Sequence, residues 1–153
     1  MEVGSHKPKK APRIYRVSGP VVIAENLECR MYDVVLVGNN RLMGEVIEIE
    51  GDKSIVQVYE ETELIKPEDP IESTGEALSA ELGPGLLTSI YDGIQRPLPT
   101  MAESGSFIRR GISVPALSRD KTWEFTPTVE QGSTVTGGDA IGYVQETPHF
   151  KHW

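Results

Sequence analysis

The chain has 153 residues, with 15 basic and 23 acidic side chains and a formal net charge of −8 at pH 7. This length allows one ordinary domain or two small ones, and it is enough to bury an apolar core without disulfides or metals. No apolar run approaches the roughly 18 residues that a membrane span requires, and the first residues lack the apolar core of a secretory signal, so we expect a soluble intracellular protein without direct membrane insertion.

Residues 1–12 form a basic segment that precedes the first regular pattern. Its low hydrophobicity, three lysines and two prolines predict a solvated, disordered arm rather than a docking motif. From Val17 onward the chain has ten basic against twenty-two acidic residues. Such an acidic body should repel polyanions, and we therefore expect no nucleic-acid partner.

Residues 13–74 are predicted to form an N-terminal β-barrel. Two short strands meet at a tight turn around Gly19, and β-rich runs follow at residues 31–38, 42–50 and 54–62. The turn that begins at Gly51 gives the strongest hairpin signal. Five short strands with close turns and no helical period favour a small closed barrel in an all-β chain.

Residues 75–100 form a linker after the proline-rich stretch that ends at Pro70. Residues 86–91 are apolar enough to make about two helical turns before Asp92 and Gly93 stop them. The two prolines of residues 96–99 then predict an extended exit.

Residues 101–153 are predicted to be β-rich, with Trp123 and Phe125 on one face of a strand. The spacing of residues 129–144 resembles the hammerhead of lipoyl- and biotinyl-type sandwiches, which attach their cofactor to a lysine at a hairpin tip. No lysine lies between Lys121 and Lys151. A carrier function would therefore lack its attachment point, and only the shape would remain.

The loop Gly83-Pro84-Gly85 is the first candidate site, because backbone N–H groups at a helix start attract phosphate. Pro84 removes one of these donors, and no lysine follows within the loop. The sequence also contains no G-x-x-x-x-G-K-[ST] phosphate-binding loop. A turn that positions a short helix is the favoured interpretation over a nucleotide loop.

Three further groups of side chains are candidate sites. Carboxylates at the end of the barrel segment suggest an acid/base pair or a cation site, but their spacing is irregular and a solvated strand end is favoured. The histidine pair at the end of the chain suggests a metal site with too few ligands, and a fraying terminus is favoured. The lone cysteine has no neighbouring histidine, and a partly packed thiol in a reducing compartment is favoured over a nucleophile. These residues are Glu60, Glu61, Glu63, Glu68 and Asp69; His149 and His152; and Cys29.

Arg96 is a candidate arginine finger, the kind of residue that stabilises phosphoryl-transfer charge from a neighbouring subunit. A structural ion pair with one of the many carboxylates is the favoured interpretation. We assign no catalytic, cofactor-binding or metal-binding residue.

Seven blocks in order carry a resemblance to one family. They are RVSGPVV, MYDVV, GEVIEIEGDKSIVQVYEET, ELGPGLLTSIYDGIQRPL, FIRRG followed by PAL, KTWEFTP and GGDAIGYVQET. Together they resemble the N-terminal part of the catalytic A subunit of archaeal A-type and vacuolar-type rotary ATPases. The resemblance runs from Arg13 to about Thr147 and implies a barrel (13–74), the entry segment of the nucleotide-binding domain (75–100) and a partial bulge, or non-homologous region (101–153).

The resemblance also implies partners and a location. In that family the barrels of alternating A and B subunits form a crown that holds the hexamer together, and the bulge is associated with peripheral-stalk contact. The parent complex binds ATP and Mg, couples ATP synthesis or hydrolysis to proton transport and is peripheral to the cell membrane on the cytoplasmic side. We expect the present residues to serve assembly, to need no cofactor of their own and to be inactive alone.

Two features depart from the family pattern: the longer basic arm, and the ending HFKHW after about Thr147. They suggest a chain cut inside the bulge. Two other hypotheses stay open, namely a free-standing small β-barrel binding module and a carrier shape without its lysine.

Overall fold

A computed structural model describes residues 10–103, 111 and 114–153. The chain divides into two compact units, residues 1–79 with 109–112 and residues 80–108 with 113–153. The predicted basic arm falls almost wholly on residues 1–9, outside the described part of the chain. No helix in the described ranges is long and apolar enough to cross a bilayer.

The first unit is a six-stranded antiparallel sheet that closes on itself. The strands are β1 Arg13–Ser18, β2 Val21–Glu25, β3 Asp33–Val37, β4 Leu42–Glu50, β5 Lys53–Val58 and β6 Ile71–Ala77. Their order in the sheet is β1-β2-β5-β4-β3-β6. The first and last strands meet where Arg13 pairs with Pro70, with Ile14 N–H donating to the Asp69 carbonyl at 3.0 Å. Closure pairs both sheet edges, which confirms the predicted all-β barrel.

The inward-facing side chains of these strands make one apolar core. In β3 four of the five residues are buried, and in β5 buried and less buried residues alternate. The core consists of Ile14, Val22, Ala24, Val35, Val37, Leu42, Val46, Val56, Val58, Ile65 and Ile71. Branched aliphatic residues predominate in it, which suits a narrow barrel interior.

A bulge at Ile47 divides β4 into two parts. Val46 pairs with Val56 and Glu48 pairs with Ile55, so Ile47 is the extra residue. Every residue of β4 after Val46 is exposed. The strand predicted to be half solvated is therefore β4, and its exposed half begins at the bulge.

Sequence reasoning identified five strands in this unit and missed β6. Only Ile71 of Ile71–Ala77 is buried, and the other residues are polar, small or exposed. A strand with one core residue has no period-2 apolar signal. It forms because β3 and the start of β1 provide its hydrogen-bond partners.

Two glycines make the barrel turns possible. Gly51 lies in the two-residue loop that joins β4 to β5. It has φ +61°, a backbone conformation that residues with a side chain rarely adopt. Gly38 has φ +71°, and a Cβ at this position would collide with the side chain of Ile65. The hairpin predicted at Gly51 is present.

The second unit contains little regular structure among its described residues. A 3-10 turn spans Leu86–Thr88, and the helix α1 spans Leu98–Glu103. A three-stranded antiparallel sheet follows, formed by β7 Phe125–Pro127, β8 Gly142–Thr147 and β9 Phe150–His152. The strands lie in the order β7-β8-β9.

Two local predictions for residues 86–99 were wrong. The helix expected at residues 86–91 is a single 3-10 turn, because Ser89 returns to extended backbone and its hydroxyl donates to the Gly85 carbonyl at 3.0 Å. The extended exit expected over residues 96–99 reaches only as far as Pro97, which forms a β-bridge with Tyr91, and α1 begins at Leu98. Prolines are tolerated in a first helical turn, because N–H groups there have no intrahelical acceptor.

Two predictions for residues 121–153 also need correction. The strand expected around Trp123 begins only at Phe125, and Phe125 itself is exposed. The terminus expected to fray forms β9, whose His152 pairs with Val144 of β8. The last residues are polar and aromatic, so the sequence lacked the apolar alternation that predicts a strand. The strand β9 forms because β8 provides its hydrogen-bond partners.

Candidate functional site

The loop at residues 83–85 holds an anion, and that anion belongs to the chain itself. The Glu146 carboxylate accepts a hydrogen bond from Gly85 N–H at 2.8 Å and from Leu87 N–H at 3.4 Å, both through Oε1. The Glu146 side chain is 0% exposed. The N–H groups that the turn leaves without a backbone acceptor therefore bind a carboxylate of the same chain. This agrees with a structural turn rather than with a phosphate-binding loop.

The second oxygen of the same carboxylate meets β9. Oε2 of Glu146 lies 3.3 Å from Nδ1 of His152. His149 lies in the turn between β8 and β9 and is exposed. The two histidines therefore have different positions and roles, and His152 helps to hold a buried carboxylate in place.

Arg96 is held by Asp92 in the loop between the 3-10 turn and α1. Its Nε donates to Asp92 Oδ2 at 2.7 Å, and its backbone N–H donates to Asp92 Oδ1 at 2.8 Å. Ile94 N–H donates to the same Oδ1 at 3.1 Å. Both charged side chains are largely buried, so Arg96 acts as a structural residue within its own loop.

These hydrogen bonds determine the protonation of Asp92. Burial of the carboxylate raises the pKa of Asp92, but the hydrogen bonds from Arg96 and Ile94 and the Arg96 charge outweigh it. The pKa of Asp92 therefore lies below its ordinary value, and the group is ionised at neutral pH.

A side-chain amide joins this loop to the start of the unit. Gln95 Oε1 accepts from Glu81 N–H at 2.6 Å, and Gln95 Nε2 donates to the Glu81 carbonyl at 2.7 Å. Gln95 itself has φ +61°. The side-chain amide of Gln95 thus takes the place of a backbone partner for both the N–H and the C=O of Glu81.

The carboxylates near the end of the barrel segment do not form one site. Glu60 accepts from Gly111 N–H at 3.0 Å, Glu68 pairs with Arg13, and Asp69 accepts from Lys66 N–H at 2.9 Å. In the part of the chain that the structure describes, no group of three or more His, Cys, Asp or Glu side chains is arranged to hold a metal.

Cys29 is a partly packed thiol at the edge of the barrel core. Its Sγ lies 3.2 Å from Ser54 Oγ, and it packs against the apolar core cluster. The contact is to a neutral hydroxyl, which does not activate a thiol.

Several residues of the barrel unit expose apolar side chains, and four of them lie on the β2–β3 connection and on β4 from its bulge onward. Tyr32 N–H donates to the Val46 carbonyl at 2.9 Å, which places the β2–β3 connection beside the bulge in β4. Tyr32 is 59% exposed, Met31 42%, Ile49 41% and Ile47 38%. We name these four residues the bulge patch. Exposed apolar groups that lie together are typical of a contact surface.

Sequence reasoning missed two features of the second unit. Glu146 carries no motif, and its pairing with Gly85 spans 61 positions of sequence. Asp92 was interpreted as a helix stop. An Asp that is followed directly by Gly and four residues later by Arg also fits a loop that the Asp carboxylate closes by hydrogen bonds. That spacing was the only signal available.

Two family models match the chain. Residues 14–75 match the β-barrel domain of the ATP synthase alpha/beta family, and residues 114–153 match the barrel-sandwich domain of the ATP synthase alpha/beta subunit. The second match extends to the end of the sequence. The expectation that the ending HFKHW leaves the family pattern was therefore wrong.

Curated relatives match nearly the whole chain. The chain is 58% identical over 92% of its length to the A subunit of the A-type ATP synthase of Desulfurococcus sp. (strain SY), and 61% identical over 91% to that of Methanosarcina barkeri. In each case it covers 24% of the relative. The chain therefore spans about a quarter of the length of the curated relatives it matches.

Solved structures with the same fold include the assembled ATPase EscN from the enteropathogenic E. coli type III secretion system. The TM-score is 0.52 over 56% of this chain and 21% of that one, at 22% identity. For EscN in complex with its central stalk EscO the TM-score is 0.54 over 78% of this chain and 28% of that one, at 20% identity. At this identity the likeness concerns the fold. On the strength of its matching family models and its A-type relatives, the chain belongs to the ATP synthase alpha/beta family.

Proposed function

We propose that this chain is the assembly segment of the catalytic A subunit of a rotary ATP synthase or ATPase. The observation that supports this most directly is its 58% identity, over 92% of its length, to the corresponding A-type ATP synthase protein from Desulfurococcus. The parent complex would couple ATP synthesis or hydrolysis to ion transport. These residues would supply scaffold and partner surfaces, and nucleotide chemistry would belong to another part of the parent protein.

The proposed domain division follows the sequence blocks. Residues 1–12 are an arm, 13–74 the barrel, 75–100 the entry to the nucleotide-binding domain, and 101–153 part of the bulge region. The entry segment carries exposed apolar side chains, Leu82, Leu87 and Ile90. They suit packing against further parts of the parent protein.

The bulge patch is the proposed contact surface for the barrel of a neighbouring B subunit. It combines an aromatic, a methionine and two isoleucines with the acidic neighbours Glu48 and Glu50. An apolar centre with a charged rim is the usual composition of a specific interface. The complex would lie on the cytoplasmic side of the cell membrane. Residues 101–153, which belong to the non-homologous region and not to the bulge patch, would face the peripheral stalk.

Calorimetric titration with Mg-ATP tests the division of labour. We expect no tight binding by the 153-residue chain, because its sequence contains no phosphate-binding loop. Submicromolar ATP binding by this chain alone would contradict the proposal.

Copurification with the B subunit of an A-type ATP synthase tests the partner. We expect the chain to be retained, and the double substitution Ile47→Ser with Ile49→Ser to reduce retention at least tenfold, since both residues belong to the bulge patch. Val135→Ser is the matched control, because Val135 is similarly exposed but belongs to the second unit. Equal losses in both variants would contradict the assignment of this surface.

A further inference from the structure

A groove of about 200 Å³ lies at the end of the barrel where β4 turns into β5. Its walls come from residues 26–28, which follow β2, from residues between 49 and 54, and from Lys10. Asn26 N–H donates to the Asp52 carbonyl at 3.2 Å, and this hydrogen bond joins the two main walls. We name this space the hairpin groove. A cavity needs roughly 10–15 Å³ to hold one water molecule, so the groove has room for several side-chain groups.

The hairpin groove combines apolar and acidic side chains. Leu27 is partly buried against the barrel core, and Ile49 is 41% exposed. Glu28 and Asp52 are exposed acidic residues of the same groove. Lys53 follows Asp52 in sequence, but its Nζ lies 4.1 Å from the centre of a tyrosine ring on β1. The groove therefore suits a segment whose side chains have an aliphatic stem and a positive end.

The described part of the chain begins at this groove. Lys10 is the first residue that the structure describes, and it lines the hairpin groove. Residues 1–9 are therefore tethered there, and they can reach every part of it, since each residue of an extended chain spans up to about 3.5 Å. They contain Lys7 and Lys9. Three lysines within four positions thus meet the barrel where it presents two acidic side chains.

The basic arm has no place in the family barrel itself. The matching barrel model begins at residue 14. From the sequence alone the arm is predicted to be solvated, because no acceptor for its lysines is visible there. The hairpin groove provides such acceptors next to the point of attachment. A short tether gives an effective concentration in the millimolar range, so even a weak contact between opposite charges is populated.

We propose that residues 1–9 of this chain dock in the hairpin groove. Their lysines pair with the acidic side chains of the groove, and the lysine stems cover its apolar side chains. Ile49 belongs to the bulge patch as well, so the docked arm covers one edge of that surface. The contact is made within one chain and does not depend on the proposed assembly role.

Paramagnetic relaxation in the full ¹⁵N-labelled chain tests the docking. A nitroxide is attached at Ser5→Cys in a Cys29→Ser background, which leaves a single thiol. We expect the amide signals of Ile49 and Asp52 to lose intensity. The Arg41 amide is the internal control, because it lies at the other end of the nine-residue strand β4, roughly 25–30 Å away at about 3.3 Å per residue.

An undocked arm would also pass near the groove, so the dependence on charge decides the test. Lys7→Ser with Lys9→Ser should reduce the intensity loss at the groove amides about twofold or more. Sodium chloride at about 1 M should act in the same way, because the screening length falls to about 3 Å. Lys66→Ser with Lys121→Ser is the matched control, since these exposed lysines do not line the groove. Equal relaxation in the two variants would overturn the proposal.

The acidic side of the contact is tested separately. Glu28→Gln with Asp52→Asn should reduce the intensity loss to the same extent as the arm variant. Asp120→Asn with Glu130→Gln is the control, because both carboxylates are exposed in the second unit. Equal urea midpoints for the two variants would show that the barrel is intact in both. Unchanged relaxation in the groove variant would contradict the docking.

A mixed sample identifies the chain that supplies the arm. The ¹⁵N-labelled chain without a nitroxide is mixed with unlabelled chain that carries one. We expect no intensity loss at the groove amides of the mixture. A loss as large as that within one chain would assign the groove to the arm of a second copy and would overturn the proposal.

Discussion

The two units of this chain are stabilised in different ways. The barrel has a core cluster of eleven buried apolar residues, whereas the buried apolar residues in the described part of the second unit are Met101, Leu117 and Val144. The second unit instead buries directional polar contacts, such as the Glu146 carboxylate on the 3-10 turn and the Asp92–Arg96 pair. A non-directional core specifies a closed sheet, but a loop-rich unit needs specific hydrogen bonds to select one conformation.

The largest effect should come from truncating the barrel core. Leu42→Ala removes a side chain that is 1% exposed, and we expect a loss of about 2–5 kcal/mol in the free energy of unfolding. Urea denaturation followed by circular dichroism measures it. The matched substitution Leu82→Ala, at a residue 75% exposed, should change the midpoint little. Equal effects would mean that the barrel core is not the main source of stability.

Loss of the buried carboxylate should have the next largest effect. Glu146→Ala leaves Gly85 N–H and Leu87 N–H without their acceptor, at a cost of about 1–3 kcal/mol. Hydrogen exchange at these two amides should accelerate, and Glu146→Gln should restore part of the protection because it retains an acceptor oxygen. Glu130→Ala changes an exposed carboxylate of the same unit and is the control. Unchanged exchange in Glu146→Ala would show that the turn does not depend on this anion.

Asp92 should make the second unit sensitive to acid. Its pKa in the folded chain lies below that in the unfolded chain, so its stabilising contribution is complete above the unfolded value and is lost as pH falls through the folded value. Asp92→Asn should cost roughly 1 kcal/mol at neutral pH and progressively less below about pH 4. Thermal melts at several pH values measure the difference, and Asp120→Asn, at an exposed carboxylate, is the control. A difference that grows in acid would contradict this sign.

The smallest effect should come from a surface ion pair of the barrel. Arg41 donates to Glu72 at 2.8 Å, but both side chains are about 60% exposed. Arg41→Gln should change the free energy of unfolding by less than about 0.5 kcal/mol. Urea midpoints with and without added salt provide the measurement. A loss comparable to that of Glu146→Ala would erase the distinction between surface and buried polar contacts.

The sequence predicted much of the barrel and less of the second unit. The run at residues 42–50 coincides with β4, and the turn at Gly51 joins β4 to β5. These features are local, because alternation and glycine turns are visible within a few residues. Strands β6 and β9 were missed, since each has few buried side chains and depends on partners distant in sequence or on a neighbouring strand.

The candidate sites show the same division. The sequence suggested that residues 83–85 are a turn and that Arg96 pairs with a carboxylate, and both interpretations agree with the contacts observed. It did not suggest Glu146 as the acceptor or Asp92 as the partner. Residue types indicate that an N–H or a guanidinium needs an acceptor, but they do not identify which of the 23 acidic residues supplies it.

The sequence by itself determined the all-β class, the family resemblance and the lack of a phosphate-binding loop within these residues, because each can be read from short stretches of chain. Only the tertiary structure determined where the barrel closes and which carboxylate occupies the 3-10 turn. These features depend on residues brought together across tens of positions, and their energies come from burial and hydrogen-bond geometry that composition does not encode.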